Sequence, residues 1–101
     1  RPNEEAALSY ARHDGFAVVL LINQRLSDQG IAQTEASTRR IVDAAIARGG
    51  TYYLTYQLYP SLEQLQAAYP KASAFFAYKK KTDQNGLFQN LFYERYGAHE
   101  R

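Results

Sequence analysis

Apolar residues along this chain fall into blocks whose spacing changes from one block to the next. Phe16-Ala17-Val18-Val19-Leu20-Leu21-Ile22-Asn23-Gln24 is the most apolar run. Its length and β-branched content predict a strand, and its lack of alternation predicts cover on both faces, as in a central strand. Ser27-Asp28 then offers an N-cap. Beyond it Ile31, Thr38, Ile41, Val42, Ala45 and Ile46 fall on one stripe, with Gln33, Arg39, Arg40 and Asp43 on the other side. That pattern predicts an amphipathic helix from about Asp28 or Ile31 to Arg48. Gly49-Gly50 is its expected stop, where a residue without Cβ takes positive φ. Thr51-Tyr52-Tyr53-Leu54-Thr55-Tyr56-Gln57 predicts a second strand, with Tyr52, Leu54 and Tyr56 on one face and Tyr53, Thr55 and Gln57 on the other. Strand, helix and strand at this spacing have the length of a βαβ unit, right-handed if the strands run parallel.

The remainder predicts helices. Ala6 to Arg12 allows a short one, with Leu8 and Tyr10 as apolar contacts, before the turn signal His13-Asp14-Gly15. Ser61-Leu62-Glu63-Gln64 is a capping box opening a short helix that Tyr69-Pro70 ends. Another helix is expected from about Lys71 to Thr82, anchored by Phe75, Phe76 and Tyr78. Asp83-Gln84-Asn85-Gly86 reads as a turn. A last helix from Leu87 to about Tyr96 places Leu87, Phe88, Leu91 and Phe92 on one side, and Gly97 to Arg101 reads as a frayed tail. The predicted fold class is α+β: a small sheet of strands about 16–24 and 51–57, a packing helix about 28–48, and C-terminal helices. Two strands make a poor sheet. The first needs neighbours from another copy or from sequence outside this segment.

At 101 residues the chain is a single domain or a fragment of one. Such a length buries roughly two-thirds of its unfolded surface, enough for one modest core. Hydrophobic content of 46% and charged content of 22% are ordinary, whereas 14% aromatic, all Tyr and Phe, is high. With no cysteine, disulfides, thiolate metal sites and a Cys nucleophile are excluded. A net charge of +2, scattered apart from Lys79-Lys80-Lys81, lacks the clustered basic face of a nucleic-acid binder. No apolar run approaches the about 20 residues of a membrane span. Arg1-Pro2-Asn3-Glu4-Glu5 has no apolar leader segment, and a cytoplasmic location is expected. The absence of an initial Met suggests an internal start.

Candidate chemistry is sparse. His13 and His99, the two histidines, fall in expected loop and tail. Asp83, Glu94 and Glu100 read as solvated or capping groups, and no His or carboxylate spacing suggests a metal. Gly49-Gly50 follows a helix, whereas a phosphate loop opens one. The Lys79-Lys80-Lys81 run reads as a solvated face with at most one lysine turned inward. Three tyrosines in five residues, Tyr52, Tyr53 and Tyr56, exceed what packing requires, because each buried hydroxyl must find a partner. They form either a core strand with hydroxyls at its rim or the wall of a ligand pocket.

Gly49-Gly50-Thr51-Tyr52-Tyr53-Leu54-Thr55-Tyr56, then Gln64 to Tyr69-Pro70, then Phe75-Phe76-Ala77-Tyr78-Lys79-Lys80-Lys81-Thr82-Asp83, then Leu87-Phe88-Gln89-Asn90, taken in that order, resemble the C-terminal end of FAD-linked oxidases of the vanillyl-alcohol-oxidase type, which include glycolate-oxidase-subunit-like and sugar-oxidising dehydrogenases. The resemblance covers roughly residues 16–97. It implies a partial ferredoxin-like cap domain that shapes a substrate pocket over a flavin held by a separate N-terminal domain of the same parent chain. It implies a reaction in which hydride leaves an alcohol or hydroxy acid for the flavin. It also implies substrate contacts at Tyr53 and Tyr56 and a cofactor contact at Asn90. Tyr53 and Tyr56 lie on opposite faces of an ideal strand, so sharing a pocket requires a twist, a bulge or a strand end. Some sugar-oxidising relatives carry lysine where Tyr56 stands. A phenol does not provide that charge, so their substrate is not carried over. Gln84 replaces the family's usual proline, and Lys79 matches its helix lysine, read as a surface charge.

Two readings follow. In the first, the chain is the substrate-cap segment of an FAD-dependent oxidoreductase, inactive alone, and its open reading frame extends far upstream of Arg1. In the second, it is a self-standing α+β module that dimerises through its sheet and binds a small ligand or a protein. On either reading the isolated chain is expected to form a homo-oligomer, through the strand edges beside residues 16–24.

Overall fold

Ser27 opens the first helix, α1 (Asp28–Ile46), by accepting the Gly30 amide on its hydroxyl at 3.1 Å, and Asp28 sits in the first turn where the helix dipole favours an acid. The computed structural model describes residues 6–98. α1 ends as its glycines require: the Gly50 amide donates to Ala45 O at 2.8 Å and the Gly49 amide to Ile46 O at 2.9 Å, with Gly49 at φ 73°. This is a Schellman closure, open to a residue that bears no penalty in the left-handed region.

α2 (Leu62–Ala68) carries the expected capping box. Ser61 Oγ accepts from Gln64 N at 3.2 Å, and Gln64 Oε1 accepts from Ser61 N at 3.0 Å. Tyr69-Pro70 ends it, and α3 (Ala72–Thr82) follows at once. The chain turns through Gly86 at φ 62° and enters a helical turn at Leu91-Phe92 that widens into a π-helical segment, α4 (Tyr93–Gly97), with the Ala98 amide donating to Tyr93 O at 2.9 Å. The core sits where α2, α3 and α4 meet. Leu65, Ala68, Tyr69, Ala72, Phe76 and Tyr96 are buried there, flanked by Leu8, Ile46, Tyr52, Leu54, Leu58, Leu62, Phe92 and Tyr93. Phe76 at the centre packs against the rings of Phe75, Phe92 and Tyr93. Burying one such side chain stabilises by about 2–3 kcal/mol. α1 docks on α2, where Gln64 Nε2 donates to Arg39 O and Asp43 Oδ1, and Val42 is the one buried residue of its stripe. Ile31 and Ile41 remain exposed.

The α+β expectation, with its partial ferredoxin-like sheet, is overturned. The described residues contain helices and no strand. A strand exists only through a partner that takes up its amides and carbonyls. No described segment pairs with residues 16–24, which take no regular secondary structure and leave Phe16, Val18, Val19, Leu20, Leu21 and Ile22 open to solvent. Residues 51–57 are broken by a turn at 54–55, and Tyr52 and Leu54 pack against the helical core instead of against a neighbouring strand. The βαβ reading falls with the strands.

Two helices also differ from expectation. Residues 6–12 form a turn at 7–8 and no helix. The last helix begins at Leu91 and not at Leu87, and the Asp83 carboxylate ties the stretch before it back to the end of α3. Asp83 accepts from Leu87 N at 2.8 Å and from Phe88 N at 2.9 Å, holding that stretch as a loop. Leu87, Phe88 and Leu91 accordingly face outward.

Candidate functional site

The aromatic stretch after α1 is pinned from two directions. The Thr51 hydroxyl donates to the Tyr10 carbonyl, and the Tyr69 hydroxyl donates to the Tyr52 carbonyl. The Tyr52 and Tyr69 rings meet edge to face at 5.7 Å. With Tyr52 and Leu54 turned to the core, the turn at 54–55 throws Tyr53 and Tyr56 together on the outside. Their rings lie 5.1 Å apart at 73°. An ideal strand would have put these two residues on opposite faces, and the turn supplies the departure that a common face needs. Tyr53 is 51% exposed and Tyr56 70%. Tyr10 extends the row, its ring 5.7 Å from that of Tyr53 at 78°, with 56% of the residue exposed. Edge-to-face contacts are worth about 0.5–1.5 kcal/mol each beyond area burial. The row can therefore hold its shape with one side open.

The three tyrosines of the stretch divide their tasks. Tyr53 and Tyr56 form the open pair, while the Tyr52 hydroxyl is buried without a hydrogen-bond partner among the described residues. Burial is the main cause that pushes Tyr52 ionisation far above the ordinary phenol range, helped by the neighbouring Tyr96 and Tyr69. Tyr69 and Tyr96 are raised too, again by burial first. Tyr10 was expected as an apolar contact of a short helix and not as a site residue. It lies 43 positions before Tyr53 by numbering, and no local signal announces such a contact.

Asn90 has a local structural task. Its Oδ1 accepts the Tyr93 amide at 2.8 Å, capping the last helical turns, and its side chain is exposed. Lys79 is not a surface charge. Its side chain is 17% exposed, its Nζ lies 2.6 Å from Asp83 Oδ2, and it sits 4.2 Å from the Tyr93 ring centroid. Asp83 is a capping group, as read. The Lys79 contact and then the Phe88 and Leu87 amides hold its carboxyl down to about 2. His13 is exposed in a bend, and Glu94 is exposed. His99 and Glu100 lie outside the described residues. No group of three or more His, Cys, Asp or Glu that could hold a metal occurs among the described residues.

FAD carries a pyrophosphate, which takes a glycine-opened helix N-terminus or a nest of backbone amides. Gly49 and Gly86 both follow helices, and a Cβ at Gly30, the glycine nearest the start of α1, would meet Arg25 O at 2.3 Å, so backbone already fills that space. The described residues therefore build no cradle for the dinucleotide. A groove does open between the 6–12 segment and Tyr69-Pro70-Lys71, bordered by Ser9 and Arg12, but the Tyr53–Tyr56 pair does not line it. The Arg12 guanidinium there donates to the Ala68 carbonyl at the end of α2. No helix among the described residues is long and apolar enough to cross a membrane. No protein-family model matches the chain, and comparison with curated proteins and with solved structures finds no match.

Proposed function

We propose that this chain is the C-terminal, substrate-facing segment of an FAD-linked oxidoreductase that oxidises an alcohol or hydroxy acid. The flavin, bound by another domain of the parent protein, takes the hydride. This chain orients the substrate. The observation that carries the reading is the Tyr53–Tyr56 pair: two phenols 5.1 Å apart, on one outward face, more than half open. The ordered motifs from Gly49-Gly50 to Asn90 support it. Phenols beside one another can hydrogen-bond a substrate hydroxyl from two sides.

A second reading rests on a different observation. Residues 16–22 hold six large apolar side chains out in solvent. A self-standing module that associates with a second copy through that face, and binds a small ligand or a protein, would also account for them. Intact mass and visible absorbance of protein expressed from the complete native gene separate the two. A yellow protein several times heavier than 11.5 kDa, whose flavin is bleached by an alcohol or hydroxy acid, is the result expected. A colourless protein of about this mass overturns the oxidase reading and leaves the associating module.

A further inference from the structure

We infer that Tyr10 is a third wall residue of the substrate site, beside Tyr53 and Tyr56, and that the Thr51 hydroxyl sets its place. This rests on the oxidase reading above. Tyr10 takes no part in the buried core, where Tyr52 and Leu54 provide the packing from the aromatic stretch. It is 56% exposed, yet it is not a loose surface residue. Its ring contacts Tyr53 edge to face at 5.7 Å, and its carbonyl accepts the Thr51 hydroxyl. The bond ties the residue to the stretch that carries the other two phenols, across 41 positions. The rings of Tyr10, Tyr53 and Tyr56 thus form one continuous row, each a contact neighbour of the next and each more than half open.

A row of fixed aromatic rings with polar tips and an open side is suited to a small molecule that offers C–H surface and hydroxyls together. Tyr53 stands in the middle of the row, so a substrate held on Tyr53 and Tyr56 has Tyr10 at its flank. Tyr10 is a substrate-binding residue in this account. It contributes to binding in the ground state and in the transition state alike, which raises KM on removal and leaves kcat nearly unchanged.

The test uses the flavoprotein expressed from the complete native gene. Glycerol, benzyl alcohol, lactate and glycolate are screened for anaerobic bleaching of the flavin, and the best of them serves as probe. Tyr10→Ala is expected to raise KM about tenfold and Tyr10→Phe roughly threefold, with kcat changed less than about twofold. Thr51→Val is expected to raise KM roughly threefold through misplacement of Tyr10. Nitration of tyrosines by tetranitromethane, mapped by peptide mass, gives a readout independent of turnover: saturating probe protects Tyr10 together with Tyr53 and Tyr56. KM unchanged in Tyr10→Phe, together with equal Tyr10 nitration with and without probe, overturns the inference while the oxidase reading stands. These two readouts hold even where Tyr10→Ala fails to fold. A wild-type protein without flavin, or bleached by none of the four compounds, overturns the oxidase reading and the inference with it.

Discussion

Gln64 is 9% exposed, and every polar atom of its side chain is engaged. Oε1 takes the Ser61 amide, and Nε2 donates to Arg39 O at 2.8 Å and Asp43 Oδ1 at 2.6 Å. One side chain thereby caps α2 and ties it to α1. Gln64→Leu keeps the volume and strips three part-buried hydrogen bonds, at a cost of about 2 kcal/mol. Thermal melting followed by circular dichroism should show a midpoint roughly 10 °C lower. Asp83 offers a pH handle. Its carboxyl ionises at about 2 in the folded chain against 3.8 ordinarily, so the unfolded state binds the proton first as pH falls. The stabilisation is present above pH 3.8 and is lost as pH drops towards 2. Asp83→Asn should flatten the dependence of the melting midpoint over that window, and an unchanged slope would refute this role.

At the scale of elements, signals confined to a few neighbouring residues were readable and pairings across the chain were not. Ser27, Gly49 and the Ser61–Gln64 box announced the ends of α1 and α2 because a cap is made within one turn. The strands at 16–24 and 51–57 were misread because apolar, β-branched residues state a preference that only a partner strand can satisfy. The common face of Tyr53 and Tyr56 depended on a turn at 54–55, inside a run whose composition favours extension. The delayed start of the last helix depended on where the Asp83 carboxylate landed. Gly97 shows a packing constraint that composition hides. A Cβ there would lie 2.5 Å from Tyr93 Cδ2 and 2.6 Å from Phe76 Cδ1. Gly97→Ala should therefore push α4 off α3 and cost about 1–3 kcal/mol by chemical denaturation, despite the gain in helix propensity.

For the whole molecule, the dominant feature is the difference between a well-packed cluster of helices and the bare apolar run at residues 16–22. That run has no charge and no proline, and its backbone pairs in no ladder among the described residues, the properties that let a segment template pairing with another copy. The 101-residue chain should elute as species heavier than its 11.5 kDa, by light scattering at high concentration. Val19→Lys with Leu21→Lys should return it to that mass, whereas a clean wild-type monomer would show that the run does not drive association. In a cell the same bare run links how long the chain lasts to whether the run is covered. Chaperones and proteases compete for exposed apolar chain, so copies that nothing has sealed are removed first. A copy whose run stays bare is short-lived however fast it is made, so the lifetime of the chain depends on how completely residues 16–22 are covered as well as on how well its helices pack.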